Sequence, residues 1–213
     1  NAFCHALPDR WYRMAALLNG AGPLSAVARW TGDGDVAALL AEVEANFRGP
    51  SYLLALPYLF GERTPHNDPL ARAAIVGMTH STTRADLVQA VLEGIAFSLC
   101  DGLDALIGDK PRPESLALIG GGARSSFWAK LIASALDLRL VRYEASDRGP
   151  AFGAARLARL AATKEAAETV VVPPPIRDVI EPDPVLHEAY QPRLLAFRTL
   201  YKALKPVWPE VAG

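Results

Sequence analysis

Apolar side chains recur at steps of three and four along Leu87, Val91, Ile95, Leu99, Leu103 and Leu106, and Gly108 closes the run. That period predicts a long helix with one face in the core. Thr83 and Asp86 have the spacing of a capping box at its start. Cys100 falls inside the stripe with no base beside it in sequence and reads as a buried, inert thiol. Downstream, the apolar run Leu116–Ile119 predicts a short buried strand, and three glycines follow it at once. Ser125 or Ser126 then caps a helix through Phe127, Leu131, Ile132 and Leu136, and Leu138–Tyr143 reads as the next strand. Gly149-Pro150 opens a helix whose face is small (Ala151, Gly153, Ala154, Ala155, Ala158, Ala162), the composition expected of close packing on a sheet. Val170–Pro175 is a stiff connector, and Tyr190, Leu194, Phe197, Tyr201 and Leu204 predict a final helix whose regular part starts at Pro192.

The amino-terminal half is built of shorter pieces. Phe3–Leu7 and Trp11–Leu18 read as a hairpin about Pro8-Asp9-Arg10, and Pro23 suits the first turn of a helix through Leu24, Val27 and Trp30. Asp35 is placed to cap a helix through Val36, Leu39, Leu40, Val43 and Phe47; Asp33 and Asp35 lack the rest of a calcium-loop signature. Tyr52–Phe60 and Ala73–Met78 are strand candidates. Between them the loop Gly61–Pro69 gathers Glu62, Arg63, His66 and Asp68 just past a strand end, where open α/β sheets tend to hold ligand-facing residues. The same loop reads equally as a solvated one whose charges pair with each other. The alternation of strands and helices predicts an α/β fold, with 1–213 as one domain.

Bulk properties narrow the partners. Of the 213 residues 51% are hydrophobic, enough for a sizeable core, and the formal net charge is −1. Without a run of Lys or Arg, nucleic acid and anionic membranes are poor candidates as main partners. The apolar runs fall short of a membrane span, no signal peptide is visible, and two cysteines outside any metal or CxxC spacing point to a reducing cytoplasm. The chain opens in an apolar run without a preceding cap or turn, which suggests a start in mid-protein, and Asn1-Ala2 reads as a cloning remnant.

Candidate chemistry centres on Gly120-Gly121-Gly122. Strand, glycine turn and helix form the arrangement in which backbone N–H groups and a helix start face a phosphate or nucleotide. A side chain at Gly121 or Gly122 would hold a ligand off the backbone, although a plain tight turn has the same composition. One architecture with this element is the dinucleotide-binding unit, G-x-G-x-x-G with an acidic residue about twenty positions on. Gly120, Gly122 and Glu144 fit it, but Ser125 stands where the third glycine belongs.

The other is an actin-like ATPase domain. Ala73–Glu93, with Gly77, Met78, Asp86, Leu87, Ala90 and Glu93 at fixed separations, resembles the second signature of the FGGY carbohydrate kinases. Phe3–Pro8, Leu56–Asn67, Gly120–Ala123, Pro150–Ala158 and Ala189–Arg193 resemble in particular the branch of that family that phosphorylates xylulose. The resemblance runs from Phe3 to about Leu204 and implies an actin-like, ribonuclease H-like fold: a mixed twisted sheet with helices on both faces, corresponding to the second, nucleotide-binding half of such a kinase. It implies ATP and Mg2+ as cofactors, a ketopentose substrate held by a first domain that also carries the catalytic base, and a homodimer as an assembly seen among such enzymes. Carried over residue by residue, Gly121, Gly122 and Ala123 would approach adenine and ribose, Ser126 would lie near the adenine, and Gly20 would lie against phosphates or ribose. Ser25 stands where relatives often have the longer glutamine. No aspartate of this chain matches the family's base, and the opposite wall of the cleft belongs to the first domain, so the chain alone is expected to bind nucleotide weakly or undetectably and turn nothing over. A non-catalytic interaction module on the same scaffold is the remaining alternative.

Overall fold

The computed structural model describes residues 2–32, 34–144 and 149–211; Asn1 and Asp33, named above, lie outside them. Its axis is the long helix predicted from the apolar period, which spans Arg84–Ile107 and is labelled α3. The capping box forms: the Asp86 carboxylate accepts from Thr83 N at 2.8 Å and Thr83 Oγ1 from Asp86 N at 3.3 Å. A single buried stripe was too narrow an expectation, because every residue from 88 to 98 is buried. The helix is enclosed by α1 (Gly22–Thr31), α2 (Val36–Asn46), α4 (Ser126–Leu136), α7 (Pro184–Leu204) and strand β3 (Leu54–Leu56). Gly94 makes the last contact possible, since a Cβ there would stand 2.3 Å from the Ala55 carbonyl oxygen.

Side-chain caps fix the other helix starts. Asp35 accepts from Ala37 N and Ala38 N, Ser125 from Trp128 N, and Asp183 from Val185 N and Leu186 N. The last of these corrects the start of the tail helix, which runs through Pro192 instead of beginning there. Proline costs one internal hydrogen bond, but the Asp183 cap, Pro184 in the first turn and burial of Leu186 and Tyr190 favour the earlier start.

Among the described residues the strands are shorter than expected and form three separate sheets. β1 (Ala2–Cys4) and β2 (Trp11–Arg13) make the anticipated hairpin; β3 pairs antiparallel with β4 (Ala74–Val76). The third sheet has the order β5 (Ser115–Ala117), β6 (Arg139–Tyr143), β7 (Ile176–Ile180). β5 and β6 are parallel, joined through α4, and β7 returns antiparallel. Sequence reasoning missed β7, which follows directly on the proline connector. It also expected α5 (Gly149–Thr163) to lie close on a sheet; none of its residues is buried, and it touches α6 (Ala167–Val170). At the carboxyl end α8 (Trp208–Val211) buries Trp208.

Candidate functional site

Beyond β5 the backbone reaches Gly120 at φ +89°, a conformation open to glycine and strained for other residues. A 3-10 turn, Gly121–Arg124, follows and leads into α4. The two central glycines have different physical roles. A Cβ on Gly122 would come within 2.6 Å of the Trp128 ring, so this glycine lets the indole lie against the turn. A Cβ on Gly121 would meet nothing within 4 Å, so its face is open.

That open face borders a cleft of about 140 Å³ between two pairs of helices. One wall is Gly121, Gly122, Ser125 and Trp128; the other is Ala21, Leu24 and Ser25 of the α1 start with Val36 and Leu40 of α2. Phe47, just past α2, meets Phe127 of α4 edge-on at 5.4 Å between ring centroids and ties the walls together. Trp128 is only 4% exposed, and its indole N–H has no hydrogen-bond partner among the described residues.

The residues singled out from sequence fall in different places. Ser25, Gly121 and Gly122 line the cleft together, although Gln- or Ser-length arguments alone could not have paired α1 with a turn a hundred residues away. Gly20 is exposed and precedes the cleft-lining Ala21. Ala123 is 2% exposed, its N–H donates to the Gly120 carbonyl at 3.1 Å and its carbonyl accepts from Arg142 at 2.9 Å, so both backbone polar groups are engaged inside the protein. Ser126 is exposed at the start of α4, and its hydroxyl accepts from Arg142 at 3.0 Å. Leu24, Val36, Leu40 and Trp128 carried no chemical signal in sequence; they read as ordinary core positions.

The charged loop Gly61–Pro69 lies elsewhere and spends its carboxylates on internal hydrogen bonds that anchor it to the body. Glu62 is buried and accepts from Leu18 N, Arg63 N and the Asn19 amide, while Asn19 also donates to Gly61 O and accepts from Leu59 N. Asp68 accepts from Leu70 N, Ala71 N and the Tyr201 hydroxyl. His66 stacks on Tyr201 at 3.6 Å, and burial lowers its pKa. Arg63 lines a separate groove of about 480 Å³ with Arg13, Thr64 and Leu106. None of these four borders the glycine cleft.

The family model for the FGGY family of carbohydrate kinases, C-terminal domain, matches residues 2–162, which holds both walls of that cleft. The chain belongs to the FGGY family of carbohydrate kinases. It is 41% identical over 208 residues to a xylulose kinase of Escherichia coli (strain K12), covering 97% of this chain and 43% of that protein. A xylulose kinase of Klebsiella pneumoniae is 38% identical over the same share of both. Among solved structures, a "xyloylose kinase" from Brucella ovis superimposes with a TM-score of 0.88 at 40% identity, over 97% of this chain and 42% of that one. A gluconate kinase from Lactobacillus acidophilus gives 0.75 at 26% identity over 91% and 40%. The chain thus spans about two-fifths of the length of these relatives. The actin-like fold expected from the resemblance holds, with its strands divided among small sheets, and it displaces the dinucleotide-unit alternative.

The segment 73–93, which carries the second family signature, has a structural role here. Gly77 sits at φ +94°, Asp86 closes the capping box, Ala90 is buried, and Glu93 is buried against Ser51 N, which donates to both its oxygens at 3.0 Å. These positions hold α3 in place and stand apart from the cleft wall.

Proposed function

We propose that this chain is the nucleotide-binding half of an ATP-dependent sugar kinase acting on a ketopentose, D-xylulose first, to give ADP and the 5-phosphate. What carries the reading is the convergence of Ser25 with Gly121 and Gly122 on one cleft, in a chain whose relatives are described as xylulose kinases. The donor set suits a nucleotide. Leu24, Val36, Leu40 and Trp128 offer an apolar slot to a flat base, the open Gly121 lets a ligand reach the backbone, and the Ser25 hydroxyl offers a polar contact. ATP with Mg2+ supplies the phosphoryl group and the neutralising charge when bound, the cation being held mainly by phosphate oxygens.

This chain's own part is positioning: it orients the nucleotide end so that the phosphates project toward an acceptor held by another part of the enzyme. The base aspartate and the sugar contacts are proposed to lie in that other part. Complete small-molecule sites enclose about 300–1,000 Å³, so a cleft of about 140 Å³ is one wall of a site. The chain alone is accordingly proposed to bind ATP weakly and to transfer no phosphate. A reducing cytoplasm suits both ATP and the two free thiols, Cys4 and Cys100.

Titration of Mg-ATP and of NAD in turn, read by amide exchange, tests the reading. ATP is expected to protect residues 121–126 and NAD to leave them unchanged. Protection by NAD alone, or by neither, sinks the nucleotide assignment, the second outcome returning the interaction-module alternative. Xylulose-dependent ADP release by the 213-residue chain would contradict the division of labour.

A further inference from the structure

Behind the glycine turn, on β6, stands an arginine that the nucleotide reading does not use. Arg142 is only 5% exposed. Its Nε and Nη2 donate to the two oxygens of Asp178 on β7 at 2.7 and 2.6 Å. Nη1 donates to the Ala123 carbonyl at 2.9 Å, and Nη2 also reaches the Ser126 hydroxyl at 3.0 Å. A guanidinium is a rigid planar fork of five donors, so bonds in several directions fix its partners relative to one another. Asp178 neutralises the buried charge, and the same pairing holds its carboxyl below the usual range.

We infer that Arg142 is a positioning residue of the nucleotide cleft: it locks the glycine turn through Ala123 and holds the start of α4 through Ser126. The inference rests on the nucleotide reading. The first half follows from connectivity. Ala123 is the residue after Gly122, its N–H is tied to Gly120, and its carbonyl is tied to Arg142, so the two intervening glycines on the cleft wall are held at both ends. Glycines have no side chains to anchor them, and an external clamp replaces that anchoring. The second half follows from proton inventory. Arginine N–H groups only donate, so Ser126 Oγ must accept from Nη2. That bond ties the first residue of α4 to β6, so one guanidinium holds the start of α4 as well as the turn.

Two variants of the full 213-residue chain test this. Arg142→Lys keeps a positive charge opposite Asp178, but a single ammonium cannot span Asp178, Ala123 and Ser126. Amide exchange at Gly121, Gly122 and Arg124, without ligand, is expected to speed up about tenfold, while α3 amides stay as they were. The dissociation constant for Mg-ATP should rise about tenfold. Ser126→Ala removes one of the guanidinium's bonds and keeps those to Ala123 and Asp178, so turn exchange and the Mg-ATP dissociation constant should stay near the parent's. If the lysine variant binds ATP like the parent, or exchange quickens equally in α3 and the turn, the clamp is overturned; if the alanine variant loses as much as the lysine variant, the clamp through Ala123 is overturned. If the parent chain itself gives no ATP-dependent response, the nucleotide reading fails and takes the inference with it, a result distinct from the other two.

Discussion

Glu93 shows how one buried side chain makes this chain sensitive to pH. Burial pushes its carboxyl up from 4.5 to about 7, partly offset by hydrogen bonds from Gln89, Ser51 N and the Tyr190 hydroxyl and by the charge of Arg193. Below the unfolded value both states hold the proton. As pH rises through the window from 4.5 to about 7 the unfolded chain releases it first, so stability falls and then levels off. The loss is on the order of 3 kcal/mol at most. Glu93→Gln should remove that slope: denaturant midpoints between about pH 5 and pH 8 decline for the parent relative to the variant, and parallel curves would refute the assignment. The central glycines make a second residue-scale prediction. Gly122→Ala drives a methyl into the Trp128 ring and should cost about 1–3 kcal/mol. Gly121→Ala meets open space, so it should leave the denaturant midpoint nearly unchanged while weakening Mg-ATP. Equal stability losses at the two positions would show that the turn is packed differently. Both glycines look alike in sequence; only the indole of Trp128, six residues beyond Gly122 in α4, separates their roles.

At the scale of elements, α3 depends on its start and on one close approach. Thr83→Ala removes the side-chain half of the capping box and should cost about 1 kcal/mol, seen as a lower denaturant midpoint with an unchanged slope. Gly94→Ala should cost more, because its methyl would have to displace the Ala55 carbonyl and with it β3. A Gly94→Ala chain as stable as the parent would mean that β3 can slide off the helix freely. The caps of α2, α3 and α4 were legible because Asp35, Thr83 and Ser125 act within three residues of their own position. The start of α7 was not, because the local penalty of Pro192 is outweighed by burial of Leu186 and Tyr190 against distant elements. β7 escaped notice for a related reason: Ile176–Ile180 is largely exposed or half-exposed, so it lacks the apolar run of a buried strand, and its pairing with β6 is what makes it a strand.

Across the whole molecule, the cleft is a product of packing between segments about a hundred residues apart. α3 supplies the common support: α1 and α2 pack on one part of it and α4 on another, and the gap left between them is the cleft. The small-residue helix α5 is the counter-case, since a composition suited to close packing finds no burial within this chain. Sequence alone determined what is carried by short-range chemistry: the period and cap of α3, the hairpin, the strand–glycine–helix element, and the motif spacings that mark an FGGY kinase. Tertiary structure alone decided that Ser25 faces Gly121, that Glu62 and Asp68 anchor their loop to Leu18, Asn19 and Tyr201, and that Arg142 grips the turn. Those outcomes depend on which surfaces meet, and a pattern of neighbours along the chain does not encode the distance between a serine on one helix and a glycine on another.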